Sequence, residues 1–293
     1  MGIIMGYSFV VFADGCANLP QEMLEGIKLI PDEYLMEDVP QVYLGDVDHF
    51  DGKSFYDQLR AGKVAKTSLL NTHLFETHFR PELEQGNDII YVSMSSGISG
   101  TYNAAKIAAD ELMEEFPGRF IHIVDSHGCG FGNGLLAVKA AALAKDGVDV
   151  KEAAAIVDEA VPHTCQYFTV DDLNFLKRTG RVSGVAASIG TVLNIKPILY
   201  GDSTGHIVTC GKVRGRSQAI SALAKKFKEK VMDTPDQHIC ISHGDCLDDA
   251  KALEKMVKEI VPNVPITIAM HEPFSGSHVG PGMLGLFFYG KER

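Results

Sequence analysis

This chain of 293 residues lacks the excess of positive charge that nucleic-acid-binding proteins usually carry. It has 27 Lys and Arg residues against 38 Asp and Glu residues, which gives a formal net charge of −11. A nucleic-acid backbone is bound by basic faces that displace its counterions, so we expect no nucleic-acid partner. Its 12 Pro and 29 Gly residues are also too few for a disordered chain or a repetitive fibre.

Long apolar runs and targeting signals are missing as well. The longest weakly polar stretch, residues 182–193, is too short and too rich in Gly and Ser to cross a bilayer. The N-terminus has no basic region and no small-residue cleavage site, and Gly6 stands where a myristoylation signal needs Ser or Thr. We therefore predict a cytoplasmic protein with at most transient membrane contact.

The six cysteines include no Cys-x-x-Cys pair, and in a chain of this length we expect them to be reduced core thiols. His163 with Cys165, and His243 with Cys246, supply only two neighbouring ligands each. A closed zinc site needs four convergent ligands. The sequence therefore predicts no metal site and no cofactor.

Motifs for nucleotide binding and for nucleophilic catalysis are also absent. No Walker phosphate loop occurs, and the dinucleotide fingerprint fails because Leu135 stands where a glycine would have to follow Gly130 and Gly132. The chain has no Gly-x-Ser-x-Gly elbow, and no serine-rich loop contains an evident general base. Its hydroxyls are therefore interpreted as ligand-binding groups.

The first half of the chain alternates short apolar runs with helical patterns. Runs at 9–12, 88–92 and 120–124 predict strands, and apolar spacings of three and four predict helices at 102–116, 135–145 and 151–161. Strands and helices in this order indicate parallel βαβ units. We predict an α/β fold whose N-terminal part is an open, Rossmann-like parallel sheet with helices on both faces.

The second half has a different pattern. Six strand candidates occur, only some with helices between them, and residues 201–205 resemble a hairpin turn; the candidates are 167–170, 197–200, 206–213, 238–242, 266–271 and 284–289. This predicts a C-terminal α+β domain with a mostly antiparallel sheet. We place the domains at 1–160 and 161–293, with the ligand cleft between them.

Three polar loops are candidates for a binding site: 66–68, 93–101 and 275–282. Ligands bind at the carboxyl ends of strands in open α/β sheets, and a helix N-terminus there favours phosphate or carboxylate. A second interpretation is that Ser99 only caps its helix. The basic clusters at 177–181 and 212–216 predict either a surface for an anion or a partner, or solvated charge at element ends.

Six segments, in order along nearly the whole chain, resemble the DegV family: SSGISGTYNAA at 95–105, IVDS at 123–126, DLNFLKRTGRVS at 172–183, NIKPI at 194–198, KVR at 212–214 and HVGPGMLGLFF at 278–288. Two positions depart from the family pattern. Asp14-Gly15 stands for its Asp-Ser, and Thr179-Gly180-Arg181 stands for its Gly-Gly-Arg. Neither departure touches the hydroxyl-bearing loops.

The resemblance implies two α/β domains that bury a long-chain fatty acid, such as palmitate, stearate or oleate, between them. It implies that the carboxylate is held by the hydroxyls of Thr67, Ser68 and Ser99, the N–H of Gly100, and His278, with Arg214 as a further candidate near the head group. Such proteins are binding subunits of fatty acid kinase. They present the fatty acid to a separate ATP-dependent subunit and carry the acyl phosphate for phospholipid synthesis.

On this hypothesis the protein has no catalytic activity alone, and Lys177, Arg178 and Arg181 dock the kinase subunit. Two alternatives remain open. One is a stand-alone acyl- or phosphoryl-processing enzyme that uses Ser99 or His278; the other is a regulatory protein that binds a smaller molecule. The small residues at 182–193 form either a wall along an acyl chain or an ordinary packed helix.

Overall fold

The computed structural model describes residues 7–182 and 194–293. Its strands are β1 (Val10–Asp14), β2 (Ile27–Ile30), β3 (Asp32–Met36), β4 (Val39–Tyr43), β5 (Ala65–Thr67), β6 (Ile89–Ser93), β7 (Ile121–Asp125), β8 (Thr164–Thr169), β9 (Ile195–Gly201), β10 (Ile207–Arg214), β11 (Ile239–His243), β12 (Ile266–Met270) and β13 (Leu284–Tyr289). The α-helices of these residues are α1 (Gly52–Arg60), α2 (Thr72–Glu84), α3 (Thr101–Glu115), α4 (Phe131–Lys145), α5 (Val150–Ala160), α6 (Asn174–Thr179), α7 (Arg216–Lys230), α8 (Leu247–Ile260) and α9 (Pro273–Val279).

The first sheet is parallel, with strand order β2-β1-β6-β7. Helices α2 and α3 cover one face, where Phe75 packs on Tyr91 with ring centroids 5.1 Å apart. Helices α4 and α5 cover the other face. All five residues of β6 are buried, as expected for a strand between two helical layers. The predicted parallel sheet with helices on both faces is confirmed.

The second sheet has the order β10-β9-β8-β13-β11-β12. Only β11 and β12 pair in parallel, and the other neighbours are antiparallel. Strands β9 and β10 form the predicted hairpin, and α7 and α8 pack on one face of the sheet. The predicted, mostly antiparallel C-terminal sheet is confirmed.

Helix α4 packs against both sheets. It contacts β1 and β6 on one side and β8 and β13 on the other, and Phe131 meets Phe287 with ring centroids 5.8 Å apart. A helix that is apolar all round needs such burial. Val157 and Phe168, from the two sides of residue 160, belong to the same apolar core, so the division into domains 1–160 and 161–293 stays a prediction.

A third, small sheet with the order β4-β3-β5 was not foreseen. Its strand β5 ends at Thr67 and packs against α9. Lys66 and Thr67 therefore lie in a strand and not in the predicted loop, because they pair with β3.

The polar segment 275–282 is also helical over much of its length, again unlike the loop expected. Helix α9 begins at Pro273 because the carboxylate of Glu272 accepts hydrogen bonds from the N–H groups of Phe274 and Ser275. The stretch 182–193, interpreted as an acyl-chain wall or a packed helix, lies outside the described residues from position 183 onward.

Candidate functional site

A cavity of about 290 Å³ is lined by residues from both halves of the chain. Most of its wall is apolar, and the larger apolar groups are Met94, Ile98, Phe168, Leu176, Phe274 and Phe287. Its polar groups include Thr67, Ser99, Arg181 and His278. An apolar cavity with a few convergent polar groups is the usual form of a small-molecule binding site.

Thr67 and His278 form one hydrogen-bonded pair at this cavity. Thr67 is the last residue of β5, and His278 lies in the last turn of α9. Thr67 Oγ1 and His278 Nε2 are 2.8 Å apart. Strand β5 packs against α9, and this contact brings together two residues that are 211 positions apart in the chain.

The His278 ring is neutral at pH 7. Burial first, and then the positive charges of Arg181 and Arg178, lower the pKa of His278 to about 4. A neutral imidazole has one donor nitrogen and one acceptor nitrogen. Its Nδ1 has no hydrogen-bond partner among the described residues, so the ring keeps hydrogen-bonding capacity beyond its contact with Thr67.

Ser99 and Gly100 lie where α3 begins. Ser99 Oγ accepts a hydrogen bond from the N–H of Thr101 at 3.2 Å and lies 3.0 Å from Thr101 Oγ1. The N-cap position itself is taken by Gly100. Ser99 therefore contacts the start of the helix and also lines the cavity. The free N–H groups and partial positive charge of a helix N-terminus favour an anion at this point.

Arg181, predicted to dock a partner, lines the cavity. Helix α6 ends at Gly180, whose φ of 71° is in the left-handed region that favours glycine. The chain then turns, and the Arg181 guanidinium donates a hydrogen bond to the carbonyl of Thr179. The charge of Arg181 is felt by His278, whose pKa it helps to lower. The cavity wall thus contains a permanent cation, at a residue that was predicted to dock a partner.

Four other predicted residues do not line this cavity. Ser68 is exposed immediately after β5, and Arg214 is exposed at the end of β10, opposite Ile195. Lys177 is partly buried in α6, and the exposed Arg178 lies over the Phe175 ring at 4.8 Å from its centroid. The structure therefore brings together Thr67, Ser99, Gly100, His278 and Arg181.

Several functional candidates were missed because nothing local in the sequence marks them. Gln166 lines the cavity from β8, donates to the carbonyl of His127 at 2.9 Å and accepts from the N–H of Cys129 at 3.3 Å. Asp14 is buried and accepts from the N–H of Met94 at 2.6 Å. Burial raises the pKa of Asp14 to about 7. Both side chains hold the loops that carry cavity residues.

Ser275 and His271 form a second hydroxyl–imidazole pair at the cavity wall. Ser275 Oγ is 2.8 Å from His271 Nε2, and His271 Nδ1 is 3.1 Å from Ser242 Oγ. Complete burial lowers the pKa of His271 to about 3. Ser275 also donates to the carboxylate of Glu272. These groups are therefore satisfied by one another, in contrast to His278.

Within residues 7–182 and 194–293, no three His, Cys, Asp or Glu side chains are grouped so that they could hold a metal ion. Over the same residues, no helix has both the length and the apolar character that crossing a membrane requires.

Residues 8–291 match the family model described as "Uncharacterised protein, DegV family". A DegV domain-containing protein of Clostridium perfringens is 37% identical over 286 residues, which cover 97% of this chain and 98% of that protein.

Two solved structures share the fold. A DegV lipid binding protein from Thermotoga maritima has a TM-score of 0.83 at 26% identity, covering 98% of this chain and 99% of its own. DegV from Bacillus subtilis, described as a fatty acid binding protein, has a TM-score of 0.81 at 27% identity. The match covers 97% of this chain and 100% of the Bacillus subtilis chain.

Proposed function

Because this chain belongs to the DegV family, we propose that it binds a long-chain fatty acid in the cavity described above. The observation that carries the proposal is the pair of Thr67 and His278, beside Arg181, at one apolar cavity. The relatives described as lipid and fatty acid binding proteins support the same ligand class. Palmitate, stearate and oleate are the expected ligands.

The carboxylate needs several donors, since a buried charge without partners is costly. His278 donates from Nε2 to Thr67 Oγ1, and the Thr67 hydroxyl in turn donates to the carboxylate. Ser99 and the N–H of Gly100 add donors from the start of α3, and Arg181 supplies the positive charge. Hydrogen bonds to an ionised acceptor are stronger than those between neutral groups.

The acyl chain lies along the apolar wall, which includes Met94, Phe168 and Phe287. Burial of each methylene contributes about 0.8 kcal/mol. A chain of about sixteen carbons therefore contributes on the order of 12 kcal/mol before the entropic cost of association. This is enough for firm retention without a covalent bond.

The protein presents its fatty acid to a separate ATP-dependent kinase subunit and carries the acyl phosphate for phospholipid synthesis. Exposed Arg178 and neighbouring Lys177 are the docking candidates, while Arg181 contacts the ligand. Ser68 and Arg214 lie outside the lining of this cavity, so we do not place them among the groups that hold the carboxylate. The sequence has no phosphate loop of its own, which is consistent with a partner that binds ATP.

Native mass spectrometry of the purified protein tests the ligand assignment. We expect a co-purifying fatty acid of about fourteen to eighteen carbons, lost on delipidation and regained when oleate is added. If no fatty acid co-purifies and added oleate does not bind, the proposal is wrong. The kinase role is tested separately by mixing the loaded protein with a fatty acid kinase subunit and ATP, and by looking for the acyl phosphate.

One observation favours an enzyme as the second candidate: the 2.8 Å contact between Ser275 and His271 at the cavity wall, in which His271 can act as base once the Ser275 hydroxyl turns its proton from Glu272 to His271. Nucleophile and base must lie within such a distance for covalent catalysis. On this alternative the protein hydrolyses an acyl ester. Release of nitrophenol from a nitrophenyl palmitate, abolished in Ser275→Ala, would favour it; equal rates with and without protein would exclude it.

A further inference from the structure

Two cysteines meet at the wall of the cavity. Cys129 lines the cavity and is partly exposed, whereas Cys16 is fully buried. They pack in one apolar cluster with Met94, Ile98 and Phe274, three residues that also line the cavity. Cys129 can therefore be reached by a molecule in the cavity, whereas Cys16 does not line the cavity.

The segments that carry these two cysteines pack against each other. Cys16 belongs to a short 3-10 turn, Gly15–Ala17, that follows β1, and Cys129 belongs to the loop before α4. The first turns of α4 pack tightly on that 3-10 turn, since a Cβ at Gly134 would lie 2.5 Å from the carbonyl oxygen of Ala17. The thiol of Cys129 is also the largest influence that raises the pKa of the Cys16 thiol.

Nothing in the proposed fatty acid site uses these thiols. Both are free, as is Cys210, which is exposed on β10. In the described part of the chain no third ligand joins them to make a metal site. Cys16 Sγ lies 3.9 Å from Asp14 Oδ2, a proton acceptor. Of these two thiols, Cys129 can be reached from the cavity, and Cys16 is fully buried.

We propose that Cys16 and Cys129 form a disulfide when a peroxide enters the empty cavity, and that a bound acyl chain shields Cys129 from this oxidation. The shielding rests on the proposed fatty acid function, whereas the disulfide does not.

The reaction is a two-electron oxidation. The Cys129 thiolate attacks one oxygen of hydrogen peroxide, the O–O bond breaks, and hydroxide leaves, which takes up the proton lost by the thiol to give water. Cys129 is then a sulfenic acid. The sulfur of Cys16 attacks the sulfur of Cys129, the S–O bond breaks, and water leaves with the Cys16 proton, which can pass through Asp14. Two thiols are oxidised to one disulfide, and one peroxide is reduced to two waters.

Peptide mass spectrometry after peroxide treatment of the delipidated protein tests the disulfide. We expect a linked peptide that contains Cys16 and Cys129 and has lost two hydrogens, reversible with a reductant. The wild-type protein suffices for this measurement, so it does not depend on whether a variant folds. In Cys16→Ser we expect Cys129 to accumulate as a sulfenic acid that dimedone traps. If Cys210 is fully oxidised while no linked peptide forms, the disulfide proposal is wrong.

The same measurement with oleate bound tests the shielding. Because oxidation follows the exposure of a thiol, we expect Cys129 to react at least about tenfold more slowly in the loaded protein, with Cys210 unchanged. Equal rates for Cys129, with oleate shown to be bound by native mass spectrometry, would refute the shielding. If oleate does not bind at all, the proposed function fails, and the linked peptide of the delipidated protein still decides the disulfide.

Discussion

Replacing Thr67 by valine is the sharpest test of the carboxylate site, because valine keeps the shape of the side chain and replaces its hydroxyl with a methyl group. Thr67 Oγ1 lies 2.8 Å from His278 Nε2 and is the proposed donor to the ligand. A hydrogen bond to a charged group contributes about 1.5–3 kcal/mol. Since 1.4 kcal/mol is a factor of ten in affinity, we expect the oleate dissociation constant to rise about 10- to 150-fold.

Displacement of a fluorescent fatty acid by oleate measures the dissociation constant. Three controls show whether its change comes from the lost hydroxyl. Thr67→Ser keeps the hydroxyl and should bind oleate nearly as wild type does. Ser68→Ala removes the neighbouring hydroxyl, which does not line the cavity, and should change affinity by about twofold or less, as surface substitutions do. Oleyl alcohol has no charge, so its affinity should fall only about fivefold in Thr67→Val.

The substitution also has a structural cost that must be separated from binding. Without Thr67 Oγ1, the Nε2 of His278 loses its partner, which lowers the free energy of unfolding by about 1–3 kcal/mol. Chemical denaturation of the ligand-free variant measures this loss. If Thr67→Val is folded and binds oleate within twofold of wild type, the hydroxyl does not hold the carboxylate and the proposed geometry is wrong.

Three further predictions follow from the same structure. Arg181→Glu should weaken oleate binding by more than tenfold because the proposed attraction between the guanidinium and the carboxylate is replaced by repulsion, whereas exposed Arg178→Glu should change it by about twofold or less; similar losses of affinity in both variants would contradict the separate roles assigned to the two side chains. The pKa of His278 is lowered to about 4 in the folded protein, whereas in the unfolded chain it stays near about 6.5. As pH falls below about 6.5, this histidine is therefore protonated in the unfolded chain before it is protonated in the folded protein, which favours unfolding. Wild type should therefore lose up to about 3 kcal/mol more stability than His278→Asn between pH 6.5 and 4, and parallel denaturation curves would contradict this. Gly134→Ala should destabilise by about 1–3 kcal/mol through overpacking, while Gly211→Ala, which meets nothing within 4 Å, should stay within about 0.5 kcal/mol; equal denaturation midpoints would refute the close packing of α4.

Most strands of the two large sheets were readable from the sequence because their apolar patterns are strong, whereas the elements between residues 15 and 87 were not predicted. The parallel strand β6 is apolar over its first four residues, 89–92, and the apolar residues of the helices beside it have regular spacing. The small sheet was missed because β3 and β4 carry Asp32, Glu33 and Pro40, which obscure the strand pattern. Such strands are stabilised by neighbours distant in sequence. Helix α4 begins four residues before its predicted start because tertiary packing outweighs the low helix propensity of Gly132 and Gly134.

Which of two adjacent side chains reaches the site could not be read from composition. Thr67 and Ser68 carry the same chemistry, but successive side chains at a strand point to opposite sides. Thr67 meets His278, and Ser68 is exposed. The position of Arg181 depends likewise on the left-handed turn at Gly180. The sequence motif contains that glycine, yet the direction in which the chain leaves it, and so the position of Arg181, depends on the packing of α6 on α9.

The separation of Arg178 from Arg181 explains how a chain with a net charge of −11 can bind an anion. Arg181 provides a positive charge inside the cavity, and with burial it keeps His278 neutral. In the proposed site, the hydrogen-bond donors at the carboxylate are therefore neutral groups, and the positive charge comes from a guanidinium that stays protonated in proteins. Neither the His278 ring nor the Arg181 guanidinium changes its protonation between about pH 6 and 8. These two groups therefore contribute little pH dependence to oleate affinity over that range, and a change in affinity there should come from Asp14 and Glu272, whose pKa values burial raises to about 7 and which hold the Met94 loop and the start of α9.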